Sequence, residues 1–213
     1  MKIYLFILSI IFCLLNANEN DFYKDIQKKI IFASIGDTIY LPKGKIDINR
    51  SLLASDLKNV TFYGHGIDKT ILNFKNQIEG AEGIKIINSI NITLQNFTIE
   101  NSKGDLIKVE DTDGIKFINV KAQWTGGPKS SNGSYALYPV KSKNVYVDSC
   151  IAIGASDAGI YVGQSKNIIV KNSEAYYNVA GIEIENSTNA DVFNNYTHDN
   201  SGGILIFDLP DLL

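Results

Sequence analysis

From residue 37 onward, apolar and polar residues alternate in runs of only three to five, the period of a strand with one buried face. No stretch after residue 36 sustains a helical period. The runs recur in register. Ile84, Ile107, Leu137, Ile160, Ile182 and Ile204 form one column, with spacings of 23, 30, 23, 22 and 22. Ile92, Ile115, Val145, Ile168 and Ala190 repeat the first four spacings, as do Leu94, Phe117, Val147, Val170 and Val192. A fourth column holds Asn96, Asn119, Ser149, Asn172 and Asn194, and a fifth Ile99, Ala122, Ala152, Ala175 and Thr197. The 30-residue interval marks one insertion, in or near Gln123 to Tyr135, containing Trp124, Gly126, Gly127 and Pro128.

Three short strands in a repeat of about 22 residues make one coil of a parallel β-helix, each coil stacked on the next at roughly 4.8 Å. The pattern therefore predicts an all-β, single-stranded parallel β-helix over residues 37–213, with 37–78 as less regular opening coils. Its aliphatic columns become core stacks. Asn96, Asn119, Asn172 and Asn194 become a ladder of side-chain amides at a turn. Residues 18–36 read differently: Phe22, Ile26, Ile30, Ile31 and Phe32 are roughly helically spaced, as in an amphipathic helix capping the first coil. At the other end, residues 203–207 begin a coil that 208–213 do not complete. The expectation there is a truncated, uncapped solenoid able to self-associate through its last turn.

Composition adds compartment and excludes some partners. Residues 1–17 combine Lys2, an apolar run and Leu15-Asn16-Ala17, which reads as a signal peptide for a periplasmic or secreted protein with no membrane span after cleavage. Cleavage would remove Cys13 and leave Cys150, in a column with Phe97, Val120 and Ser173, as a packed thiol. A net charge of −3 gives no basic footprint for nucleic acid. The 32 Ile and 22 Asn among 213 residues fit strands and left-handed turns.

Three stretches carry a resemblance: IGDTIYLPKGKI (35–46), AGIYVGQSKNIIVKNSEAYYNVAGIEIENS (158–187) and GGILIFDLP (202–210). With them the chain resembles the right-handed parallel β-helix, pectin-lyase-like superfamily, and within it exported bacterial β-helix repeat proteins. The resemblance implies a right-handed solenoid. It does not fix an activity, because the superfamily includes lyases, hydrolases, epimerases and proteins with no known reaction. Mannuronan C5-epimerases carry a Tyr-Gly-x-Asp-Pro-His-Asp stretch that supplies a catalytic Asp and His. The corresponding stretch here is Tyr135-Ala136-Leu137-Tyr138-Pro139-Val140-Lys141, with Tyr138 and Val140 at the acidic and imidazole positions. Those groups cannot perform that acid–base chemistry.

Strand parity places Lys108, Glu110, Tyr138, Tyr161, Glu183 and Glu185 on one outward strip, with Trp124 and Tyr135 nearby. Rings stack on sugar faces and charged groups bond hydroxyls. Trp124, Tyr135, Tyr138, Tyr161 and Glu110 are therefore the candidate polysaccharide-binding residues, and Glu183, Glu185 and Lys108 the candidate catalytic ones. Each also has a structural reading. Tyr138 and Tyr161 can be cross-strand neighbours covering a sheet face, Glu183 and Glu185 a solvated strand face, and Trp124 the cover of a core edge. His198-Asp199 reads as an exposed turn. No cofactor motif is evident; a calcium site at Asp111 and Asp113 follows no known loop pattern, and no metal site is assigned. Two functions stay open: an exported β-helix that binds or modifies polysaccharide along its first-strand face, or a non-catalytic module presenting that face to an envelope protein partner.

Overall fold

The structure, a computed structural model, describes residues 22–210; the expected signal peptide lies outside them. A helix over 22–31 precedes nineteen strands, β1–β19 in chain order, that wind into a parallel solenoid. The first sheet takes one strand from each of seven coils: β3 (Arg50–Ser55), β6 (Glu79–Ile87), β8 (Ile107–Glu110), β10 (Tyr135–Val140), β13 (Ala158–Gly163), β16 (Ala180–Glu185) and β19 (Gly202–Phe207). A second face is built from β1 (Thr38–Tyr40), β4 (Thr61–Tyr63), β7 (Ile90–Glu100), β9 (Asp113–Gln123), β11 (Lys143–Asp148), β14 (Lys166–Lys171) and β17 (Thr188–Phe193). A third is built from β2 (Gly44–Asp47), β5 (Thr70–Asn73), β12 (Ile151–Ile153), β15 (Glu174–Tyr176) and β18 (Tyr196–His198), together with the far ends of β7 and β9. The opening segment 37–78 joins the same stack and is less regular, as expected: the β3–β6 register shifts between Arg50 and Leu52.

The five sequence columns are the observed registers. Ile84 pairs with Ile107, Leu137 with Ile107 and Ile160, and Ile182 with Ile160 and Ile204. The residues of this column from Ile84 to Ile182, with those above and below them on the other faces, form one continuous buried core. The long interval is the turn between β9 and β10, where the insertion was expected.

Corners are set by left-handed backbone. Asp56, Asn88, Asp111, Lys141, Gln164 and Asn186 all have positive φ at one corner, and Asn59, Asn91, Gly114, Asn144, Asn167 and Asn189 at the next. Asn96 and Asn119 bend the single long strands β7 and β9 from the second face to the third. Asparagine tolerates this conformation better than most residues because its short amide can bond locally.

The predicted ladder is present: Asn119 Nδ2 donates to Asn96 Oδ1 at 2.8 Å, while Asn172 donates to Asp148 Oδ1 at 2.9 Å rather than to the Ser149 of its column. A second ladder runs along the corner before it, from Asn189 to Asn167 to Asn144 to Asp113. Between these left-handed corners lies a buried hydroxyl ladder. The backbone N–H groups of Leu57, Thr112, Ser142 and Ser165 donate to the hydroxyls of Ser89, Ser142, Ser165 and Ser187 respectively, each one coil on.

The helix covers the first coil as expected, but with a different face. Ile26 and Ile30 are buried, and Tyr23 and Ala33 pack beside them. Phe22, Ile31 and Phe32 are exposed, because the spacing 23/26/30/33 holds one helical stripe. Gln27 closes the strand edge directly: its amide both donates to the carbonyl of Leu53 and accepts from its N–H. Among the described residues nothing stacks on β19, and Ile204 and Ile206 are exposed.

The hydroxyl ladder is testable. Ser165→Ala strips the Ser142 N–H of its acceptor in a buried site, which costs about 1–3 kcal/mol of stability. Urea denaturation should show the loss; Ser130→Ala, on the exposed insertion, should leave the midpoint in place.

Candidate functional site

The outer side of the first sheet carries two rows of side chains running along the solenoid. Pairing places Lys85 beside Lys108, Lys108 beside Tyr138, Tyr161 beside Glu183 and Glu183 beside Leu205. The second row runs Ile87, Glu110, Val140, Gly163, Glu185, Phe207. Tyr135, at the start of β10, joins the first row. Its ring centroid lies 4.5 Å from that of Tyr138 and 4.4 Å from that of Tyr161, and Tyr138 meets Tyr161 edge-on at 5.1 Å.

Glycine makes this cluster possible at one position. A Cβ on Gly163 would fall 2.4 Å from the Tyr161 hydroxyl, so only glycine lets that ring lie along the strand. The hydroxyl there donates to Glu185 Oε2 at 2.9 Å. Burial raises the Tyr135 pKa, and the nearby Asp157 carboxylate adds to it.

Glu183 and Glu185 do point outward, but they are not a solvated strand face. They are 7% and 8% exposed. The reason is the stack itself: Tyr161 and Gly163 flank them on one side and Leu205 and Phe207 on the other. Burial, with Asp157 and Glu185 nearby, lifts the Glu183 pKa to about 7. Near neutral pH Glu183 is therefore partly protonated, where an ordinary glutamate is fully ionised. At the other end of the cluster the balance is reversed. Burial raises the Glu110 pKa, but Lys108 and Lys141 more than offset it and bring it below the ordinary value. Lys108 Nζ lies 3.7 Å from Glu110 and 5.1 Å from the Tyr138 ring centre, so the cation is held over the aromatic face.

Trp124 requires a correction. It is 5% exposed, belongs to the core cluster, and its indole N–H donates to the Ser102 carbonyl at 3.0 Å. The insertion folds it inward over the core edge, so it does not join the outer strip. Cys150 is buried and its thiol is pushed up to about 12 by desolvation, as its column placement implied. Asp113 accepts from Asn144 at 2.6 Å in the amide ladder, and Asp111 is a left-handed corner residue, so both serve the turns. The described residues contain no group of three or more acids, histidines or cysteines that could hold a metal ion. None of their helices is long and apolar enough to cross a membrane.

Two members of the site escaped the sequence reading. The Asp157 charge helps raise the pKa of both Tyr135 and Glu183, and Asp105 accepts from the Tyr135 N–H at 3.0 Å while burial raises its pKa. Both lie just before a first-sheet strand, at the mouth of the strip. His198 is also more engaged than an exposed turn would suggest. Its ring stacks between Tyr176 and Tyr196 at 4.7 and 4.5 Å, and its nitrogens face Asp199 at 2.8 Å and Glu174 at 3.1 Å. Those contacts lie on the third face, away from the tyrosine cluster.

The model of the right handed β-helix region matches residues 48–210. The chain belongs to that family. Among curated proteins, this β-helix protein is 23% identical over 206 residues to the pre-neck appendage protein of Bacillus phage B103, a match covering 79% of the chain and 24% of the relative. The chain therefore spans about a quarter of that relative's length. Among solved structures, the A-module of the mannuronan C-5 epimerase AlgE6 of Azotobacter vinelandii superposes with a TM-score of 0.61 at 17% identity, over 87% of this chain and 58% of that one. The AlgE4 A-module from the same organism aligns at 13% identity and a TM-score of 0.43, over 86% and 71%. At 17% identity the AlgE6 superposition shows the shared fold alone.

The proton on Glu183 makes stability depend on pH. Its folded pKa of about 7 exceeds the ordinary 4.5, so between those values the folded protein keeps a proton that the unfolded chain releases. Stability from this group is fully present below pH 4.5 and declines until about pH 7, by at most roughly 3 kcal/mol at 1.36 kcal/mol per pKa unit. Glu183→Gln should flatten that decline in urea midpoints measured from pH 4.5 to 8. An unchanged pH profile would show that Glu183 titrates normally.

Proposed function

We propose that this β-helix protein binds polysaccharide along the outer face of the first sheet, as an exported protein acting in the periplasm or outside the cell. The observation that carries the reading is the tyrosine cluster with its unlike ends. Tyr135 and Tyr138, packed on a Tyr161 that is itself only 6% exposed, form an aromatic platform between a cationic end at Lys108 and an acidic end at Glu183 and Glu185. Aromatic faces stack on the C–H faces of sugar rings, and fixed charged groups beside them bond hydroxyls and carboxylates. The platform is ordered before any ligand arrives, because Tyr161 is tied to Glu185 and Tyr138 lies under Lys108; such preorganisation lowers the entropy lost on binding.

The same geometry defines what chemistry the face can offer. A glutamic acid held neutral near pH 7 can donate a hydrogen bond, or a proton, to a glycosidic or hydroxyl oxygen. Glu183, whose pKa burial lifts to about 7, carries that proton in about half of the molecules at pH 7. The epimerase arrangement is not available, since Tyr138 and Val140 stand where that family's acid and imidazole are. The relatives are compatible with the reading: the AlgE6 neighbour is by name a mannuronan-acting enzyme, and the phage relative is by name an appendage protein.

The other reading is a non-catalytic module that offers this face to an envelope protein. It draws on Leu205 and Phe207, which end the same two rows as exposed apolar residues. Binding of polyuronates and envelope glycans, with mass spectrometry of the treated glycan, separates the two. Tyr138→Ala, at a half-exposed ring, should weaken glycan binding by about tenfold, a loss of one stacking contact. Glycan binding equal in wild type and variant would displace the site from this face. Retention of a protein partner with no glycan binding would favour the second reading.

A further inference from the structure

A different groove lies on the second face. It has a volume of about 560 Å³, within the range of small-molecule and oligosaccharide sites. Its floor is Ile118 and Ile169, its wall Tyr146, and its rim the amides of Asn144, Asn167 and Asn189. One row of the floor reads Lys116, Tyr146, Ile169, Asp191 in successive coils.

The wall is fixed. The Tyr146 hydroxyl donates to Asp148 Oδ2 at 2.8 Å, and Lys171 sits 5.2 Å from the ring centre while pairing with Asp148 at 3.4 Å. Asp148 also accepts from Asn172 and Ser149, so it is fully engaged in holding this corner. The rim is a linear array. Asn189 donates to Asn167 at 2.8 Å, and Asn167 to Asn144 at 3.0 Å, one rung per coil. Each ladder bond uses one of the two N–H groups of an amide. The second N–H, and a further acceptor site on the oxygen, recur at the coil spacing of roughly 4.8 Å along the groove. Charge along the groove cancels, with Lys116 at one end and Asp191 at the other, and Lys171 neutralising Asp148.

We propose that this groove is a second carbohydrate site, for a neutral linear oligosaccharide lying parallel to the solenoid axis. The ring of Tyr146 and the aliphatic floor take the apolar sugar faces, and the amide rungs bond hydroxyls that recur along the ligand. An uncharged ligand is selected because the groove offers no net charge to a uronate or phosphate. The site is independent of the tyrosine cluster, which lies on another sheet.

The probes are neutral β-1,4-linked hexasaccharides of glucose, mannose and N-acetylglucosamine, titrated by calorimetry into the full chain. At least one should bind, and Tyr146→Ala should weaken it by about tenfold, the scale of one lost stacking contact. Because Tyr146→Ala also releases Asp148, Asn189→Gly at the exposed end of the ladder provides a second variant, which keeps the left-handed corner, removes only the amide, and should weaken binding about threefold to tenfold while urea titration shows the protein still folded. Tyr138→Ala, on the other face, should bind these hexasaccharides like wild type. No binding by any of the three, or binding that survives both groove variants, would overturn the site. Binding lost only in Tyr138→Ala would reassign the neutral sugar to the first sheet.

Discussion

Between the two end coils, the backbone N–H and C=O groups of a strand in this solenoid point along the axis and find their partners on the neighbouring coils. Buried backbone groups left unpaired are costly, so coils must stay in register over the whole length. Register then dictates side-chain placement, because a residue and its equivalents stand roughly 4.8 Å apart on the same face. The hydrophobic core, the two amide ladders and the hydroxyl ladder all follow from this one requirement. Where corners turn and strand pairing lapses, Asn oxygens, Asn amides and Ser hydroxyls replace it, passing bonds from coil to coil.

Stacking also generates the unusual chemistry of the first sheet. On an ordinary surface strand, Glu183 and Glu185 would extend into water. Here Glu183 is flanked by the side chains of Tyr161 and Leu205. Glu185 is flanked by Phe207 on one side and, above the side-chain-free Gly163, by the Tyr161 ring whose hydroxyl donates to it on the other. Desolvation is therefore imposed by the fold, and repulsion from Asp157 and Glu185 adds to it. The Tyr161 ring can shield the pair only because Gly163 presents no side chain one pleat further on. Burial, a raised Glu183 pKa and an aromatic cluster arise together from neighbouring coils.

The core was legible in the sequence because identical chemistry recurs in each coil: Ile over Ile or Val gives a column that spacing alone reveals. The serine ladder was not, since Ser89, Ser142, Ser165 and Ser187 look like ordinary turn residues until the left-handed corners on either side turn them inward. Parity correctly sent Tyr138, Tyr161, Glu183 and Glu185 outward, yet outward did not mean solvated. That distinction depends on how far a neighbouring ring reaches, and hydropathy carries no such information. Trp124 shows the converse. An insertion has no equivalent in other coils, so no column could say whether its indole faced solvent or core, and the Ser102 carbonyl is what receives it.

The asparagine excess has a geometric origin that ladders alone do not explain. Among the described residues, twelve asparagines have positive φ: Asn59, Asn88, Asn91, Asn96, Asn101, Asn119, Asn144, Asn167, Asn172, Asn186, Asn189 and Asn194. Glycine would satisfy the same backbone, but it would lose more entropy on folding and offer no amide to the next coil. Asparagine meets both demands. The corner after the first sheet shows the limit of the rule, because Lys141 and Gln164 adopt the same left-handed conformation there without being asparagine or glycine. Their neighbours Ser142 and Ser165 are the hydroxyls that bond from coil to coil, so the strained backbone is held by bonds immediately following it. Conformational preference is thus relaxed where the ladder is strongest, and the corners most dependent on asparagine are the ones whose rungs are the side-chain amides themselves.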